Sequence, residues 1–151
     1  MNICLDACFL IGLYDVADQH HLQSRDLFSS LFDASSGNSG VVVWPVLYES
    51  VSTKLVKNQS RTIQMERDWR QLVAANKLIF LDDQPYRDEA LELCFQETQR
   101  QRSAYRKLSL TDRVLRSVLA DRSVRVDGIV TFNTADFVDV CQSSGRQLID
   151  R

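Results

Sequence analysis

Residues 35–45 read SSGNSGVVVWP: a polar, glycine-containing turn, a β-branched run from Gly40 to Trp44, and a proline. β-Branched side chains favour the pleated surface of a strand. The run does not alternate with polar residues, which is the pattern of a strand buried on both faces of a parallel sheet. Pro45 cannot donate to a ladder but suits the first turn of a helix, so the chain passes directly from strand to helix. The same signature recurs on either side. Ile3 to Leu5 is an apolar run ending at Asp6, Leu78 to Leu81 and Gly128 to Phe132 are unbroken apolar stretches, and Gln147 to Ile149 is a short last strand.

Helical spacing fills the intervals. Leu22, Leu27, Phe28, Leu31 and Phe32 form one apolar series, and Val46, Leu47, Val51 and Leu55 form another after Pro45. A helix from Thr62 to Asn76 is expected to turn Ile63, Trp69, Leu72 and Val73 inward, and one beginning near Pro85 carries Ala90, Leu91, Cys94 and Phe95. Ser109 or Thr111 can cap a helix that buries Val114, Leu115, Val118 and Leu119. Strands alternating with helices imply an α/β fold, a three-layer α/β/α sandwich around a mainly parallel sheet. The 151 residues fit a single domain, 1–151, without linker or repeat.

Composition narrows the class. With 44% hydrophobic and 25% charged residues and a mean hydropathy of -0.21, disorder, collagen and fibre are excluded. The longest apolar run, CFLIGLY from Cys8 to Tyr14, is far shorter than a bilayer span and is followed by Asp15. MNICLD lacks the basic start of a secretory signal, so a cytoplasmic location is expected. Cys4, Cys8, Cys94 and Cys141 lie among apolar neighbours, as reduced core thiols do, and the adjacent His20 and His21 diverge rather than converge on a ligand. A net charge of -2 argues against a broad basic surface. Between Gln99 and Ser117, however, Arg100, Arg102, Arg106, Lys107, Arg113 and Arg116 face a single acid, Asp112. That strip is either a solvated helix face or a phosphate contact.

In open parallel sheets ligands bind beyond the carboxyl ends of the strands. Asp6 follows the first strand, Glu49 lies one turn into the helix that leaves the second, Asp82 and Asp83 follow the third, and Asp136 comes shortly after the fourth. Asp112, at a helix start, can face the same end, so Asp6, Glu49 and Asp112 can meet. Each also has a simpler role: Asp6 as a cap, Asp112 as a complement to a helix dipole, Glu49 as an exposed helix residue. If brought together, three carboxylates repel unless a cation neutralises them, and oxygen ligands select Mg2+ or Mn2+. No Walker loop, GxGxxG or GxSxG competes. An acidic metal site beside a basic strip suits a phosphodiester.

The segments ICLDACFLIGLYD (3–15), PVLYESV (45–51), LSLTDRVLRSVLA (108–120) and IVTFNTADF (129–137) resemble, in order and spacing, the PIN-domain ribonucleases, and most nearly the VapC-type toxins of bacterial toxin-antitoxin pairs. The resemblance implies hydrolysis of RNA by an endoribonuclease that needs Mg2+ or Mn2+. Its acids match Asp6, Glu49 and Asp112, with Asn133 at the fourth position, Asp136 as an accessory acid and Thr131 as the small hydroxyl residue near the site. Asp6 and Asp112 become the expected metal ligands. Arg100, Arg102, Arg106, Lys107 and Arg113 are candidates to hold RNA, with Tyr105 to stack on a base. A cognate antitoxin and a homodimer are also implied. An amphipathic groove along the helices after the first two strands would suit a partner helix, although the same apolar stripes are more often core. Two departures stand out: Cys8 replaces the usual Asn or Ser, and Asn133 replaces an Asp. They motivate a rival reading as an inactive PIN-like RNA-binding or scaffold protein. A phosphotransfer enzyme or receiver fits less well, because the haloacid dehalogenase-like D-x-D is here Asp6-Ala7-Cys8.

Overall fold

A computed structural model describes residues 1–33, 35–52, 54–98 and 107–151. Strands β1 (Asn2–Leu5), β2 (Ser39–Val42), β3 (Leu78–Phe80), β4 (Gly128–Val130) and β5 (Gln147–Ile149) form one parallel sheet in the order β3-β2-β1-β4-β5. The chain therefore builds outward from β1 through β2 to β3, then crosses back to add β4 on the other side of β1. The gap between the carboxyl ends of β1 and β4 is the topological switch point, where such sheets hold ligands.

Right-handed crossovers in opposite directions place their helices on opposite faces. The observed packing follows that rule: α1 (Ala7–Tyr14) contacts α2 (His21–Phe32), α3 (Trp44–Ser50) and α4 (Gln59–Ala74), whereas α6 (Leu110–Ala120) contacts α5 (Gln84–Thr98) and α7 (Thr134–Ser144). The two sets meet where α3 packs on α6. Both faces of the central strands are covered, and Ile3, Cys4, Leu5, Val41, Val42, Ile129 and Val130 are all buried.

Local chemistry sets the helix boundaries. Asp6 caps α1, the Asn58 side chain accepts from the Ser60 and Arg61 N–H groups at the start of α4, and Ser109 and Asp112 close a capping box on α6. Gly145, at φ 74°, ends α7 in the left-handed conformation that glycine adopts without strain.

The structure corrects several sequence expectations. β3 is an edge strand with Ile79 and Phe80 exposed, not a strand buried on both faces. The inward stripe of α4 runs through Met65, Trp69 and Leu72, at i, i+4 and i+7, which leaves Ile63 and Val73 outside. Leu22, Leu91 and Phe95 are also exposed. The helix after Pro45 stops at Ser50, and Leu55 reaches the core from a separate 3-10 turn, Leu55–Lys57.

β4 and β5 approach so closely at Gly128 that a Cβ there would lie 2.6 Å from the Gln147 carbonyl oxygen. Gly128→Ala is expected to cost about 1–3 kcal/mol, as overpacking of a close-packed interior does. Gly37, with no atom within 4 Å of an added Cβ, serves as the control. Thermal melts should show a lower Tm for Gly128→Ala and an unchanged one for Gly37→Ala.

Candidate active site

The pairing Leu5↔Val130 sets adjacent strands in register, so the next residues, Asp6 and Thr131, emerge side by side. The Asp6 backbone N–H still reaches the Val130 carbonyl at 3.2 Å before α1 begins. The Asp6 carboxylate then turns into the switch point and becomes almost fully buried, at 4% exposure. Oδ1 accepts from the Ala7 N–H at 2.6 Å. Oδ2 accepts from the Thr131 hydroxyl at 2.6 Å and from the Cys8 thiol at 3.0 Å. Thr131 is itself held by the Asn133 N–H, 2.9 Å from its Oγ1, and Cys8 Sγ accepts from the Phe132 N–H at 3.3 Å. Cys8 thus supplies a donor where the family resemblance leads one to expect Asn or Ser.

Burial pushes the Asp6 carboxyl up; its hydrogen bonds from Thr131 and Cys8 pull it down; the charge of Asp112 pushes it up again, and the net direction is upward. The Cys8 thiol is pushed up to about 12, first by burial and then by the Asp6 charge, so it keeps the proton it donates. Asp112 is the third residue of α6, half-buried, with Oδ2 accepting from the Ser109 N–H at 2.8 Å. Its charge contributes to raising Asp6, less than burial does.

The other expected residues are arranged differently. Glu49 is exposed on α3 and lines a groove with Leu110 and Thr111, the residues before Asp112. Among the described residues, no group of three His, Cys, Asp or Glu side chains lies close enough to hold a metal ion, so Asp6, Glu49 and Asp112 do not form a ready-made three-acid cluster. Asn133 is the exposed N-cap of α7, and Asp136 follows in its first turn. Lys107 is exposed. Arg113 is not available to RNA: it is buried between α5 and α6, with its guanidinium 3.7 Å from buried Glu97. The apolar stripe Val114, Leu115, Val118 and Leu119 turns this face of α6 inward, and Arg113 goes with it. Arg100, Arg102, Tyr105 and Arg106 lie outside the described residues.

Trp44, Tyr48 and Arg87 were not among the residues expected at the site. With Pro45, Glu49, Leu110, Thr111 and Val114 they line a groove of about 490 Å3 at the α3–α6 seam. The available signal was the i, i+4 spacing of Trp44 and Tyr48, two aromatic residues beside Glu49.

No protein-family model and no curated protein matches the chain by sequence. Among solved structures the chain is similar to VapC20 of Mycobacterium tuberculosis, a sarcin-ricin loop cleaving toxin, with a TM-score of 0.61 and 16% identity over 91% of this chain and 94% of that one. At that identity the likeness is one of architecture. The five-stranded parallel sheet, its order and the helices on both faces make the fold PIN-like.

Proposed function

We propose that this chain, as one PIN domain over residues 1–151, is an endoribonuclease that uses Mg2+ or Mn2+ held by Asp6 and Asp112, and that it is the toxin of a toxin-antitoxin pair. One observation carries the reading: a buried carboxylate, Asp6, is held at the switch point by three donors and is raised first by its burial and in smaller part by the charge of Asp112. Two like charges maintained in a crevice at the switch point are the arrangement a divalent cation would neutralise. The donors fit the ion. Both are oxygens, and Mg2+ commonly takes one or two carboxylates while keeping water and substrate phosphate as its remaining ligands. The likeness to a toxin that cleaves RNA supports the substrate class.

When bound, the ion would supply positive charge to a phosphate and acidity to a water molecule. The protein's own residues do the positioning. Thr131 and Cys8 fix one oxygen of Asp6 and Ala7 the other, while the capping box fixes one oxygen of Asp112. Glu49, Asn133 and Asp136 are assigned as accessory groups that orient water or substrate. Exposed Lys107 and the cations preceding it are assigned to the RNA backbone. A cognate antitoxin would enter the hollow of about 390 Å3 between α1, α2 and α4, lined by Leu13, Tyr14, Arg25 and Gln64 among others. Cellular placement follows the same reading: no helix among the described residues is long and apolar enough to cross a membrane, and a cytoplasmic homodimer is proposed.

The absence of a three-acid cluster among the described residues favours a second reading, an RNA-binding PIN-like protein that does not cut. End-labelled single-stranded and hairpin RNAs incubated with Mn2+ or Mg2+ separate the two. Cleavage is expected, abolished by chelator and reduced at least ~100-fold by Asp112→Asn, on the scale of losing one preorganised charge at a reacting centre. Equal cutting by the variant would remove Asp112 from the site, and no cutting under any condition would leave the second reading.

Stability gives an independent check. A carboxyl raised above its unfolded value binds protons more tightly in the folded state, so Asp6 costs stability as pH rises from the ordinary carboxylate range through its folded value. In chelator at neutral pH, Asp6→Asn should therefore be more stable than the wild type, an advantage that shrinks as the pH is lowered. Saturating Mn2+ should raise the wild-type Tm and leave that of Asp6→Asn unchanged. Differential scanning fluorimetry reads both effects.

A further inference from the structure

The groove at the α3–α6 seam has a composition that acid chemistry does not require. Trp44 is 49% exposed and Tyr48 is 66% exposed, their ring centroids 6.1 Å apart and tilted by 38°. Leu110 and buried Val114 form the opposite wall. Large aromatic faces left in water are costly unless something covers them.

Two features distinguish this groove from an ordinary apolar patch. The first is its rim. Arg87 is anchored by buried Asp83, to which its Nε and one terminal nitrogen donate at 2.9 and 2.8 Å. That bidentate pairing orients the guanidinium of a residue that lines the groove and uses Nε and one terminal nitrogen, which leaves the second terminal nitrogen as a charged donor suited to phosphate. The second is its place. Thr111 lines the groove and is the residue before Asp112, and Glu49 lines it from α3, so two of the expected site residues lie in or next in sequence to its lining.

An aromatic platform, an oriented guanidinium and adjacency to the acids together match one occupant: a nucleotide of single-stranded RNA. Its base would stack and its phosphate would lie beside a cation. Resting on the proposed RNA chemistry, we infer that this groove is a base-binding subsite, in which an unpaired base beside the cleaved phosphate stacks on Trp44 and Tyr48 while Arg87 holds the adjoining phosphate. The subsite selects unpaired over duplex RNA, because a base within a duplex cannot offer its face.

The test reads binding, not cutting. Of the two tryptophans, Trp69 can be replaced by Phe so that fluorescence reports Trp44 alone. In chelator, decamers of uridylate and of adenylate should quench Trp44, and an RNA duplex should not. Trp44→Ala and Tyr48→Leu, both at exposed positions, should weaken decamer binding by about 5- to 100-fold per lost stacking contact. The dependence of log Kd on log salt should stay unchanged, because no phosphate contact is removed. Unquenched fluorescence with unchanged Kd would overturn the subsite. So would a protein dimer, detected by sedimentation, that Tyr48→Asp dissociates while RNA affinity is retained. Quenching by RNA that Mn2+ never causes to be cut would uphold the subsite and reject the nuclease; cutting without quenching would do the reverse.

Discussion

A carboxylate withdrawn from water must be matched by donors or by a cation, and Asp6 imposes that requirement on the centre of the molecule. Its partners come from two directions. Ala7 and Cys8 belong to the helix that leaves β1, but Thr131 belongs to β4, 125 residues away. Meeting Asp6 therefore requires β4 to lie beside β1 with Leu5 opposite Val130. That placement requires the chain to cross the sheet after β3. The crossover contains α5 and α6, and the start of α6 brings Asp112. The sheet order, the switch point and the pair of acids are thus consequences of one buried group.

Capping and chemistry are not alternatives for these acids. Asp6 gives one oxygen to the first N–H of α1, and Asp112 gives one to the Ser109 N–H. Each cap uses part of a carboxylate and fixes its orientation. Asp112 lies in the first turn of α6, whose positive end favours the negative charge; this offsets part of its repulsion with Asp6. Helix termini thereby hold two like charges in a crevice that would otherwise push them apart.

The sheet was legible because unbroken apolar runs mark covered strands, and the acids were legible because each follows a strand or opens a helix. What failed depended on neighbours in space. Leu78–Phe80 has the composition of an interior strand, yet the strand order leaves it at the edge. Ile63 and Val73 are apolar, but the stripe through Met65, Trp69 and Leu72 wins the interior of α4 because those three side chains meet the sheet together. Arg113 reads as a surface cation until Glu97 is found buried beside it. Cys8 looks like a weak substitution, but burial keeps it protonated and makes it a donor to Asp6.

That packing explains why the site has two halves of different character. α3 is short, and the Ser50 hydroxyl turns back to the Val46 carbonyl at its end. The helix therefore buries Val46 and Ser50 while Trp44 and Tyr48 remain on its outer side. α6 presents Leu110 and Thr111 to them just before Asp112. The seam between the two helix layers is accordingly acidic at the strand ends and aromatic farther out. With Arg113 buried and Arg87 tied to Asp83 in a chain of net charge -2, counterion release on RNA binding falls chiefly to Lys107 and the cations that precede it in sequence. On the proposed reading, stacking must supply affinity that charge does not, and RNA binding by this protein would depend less on salt than that of a basic nuclease of the same size.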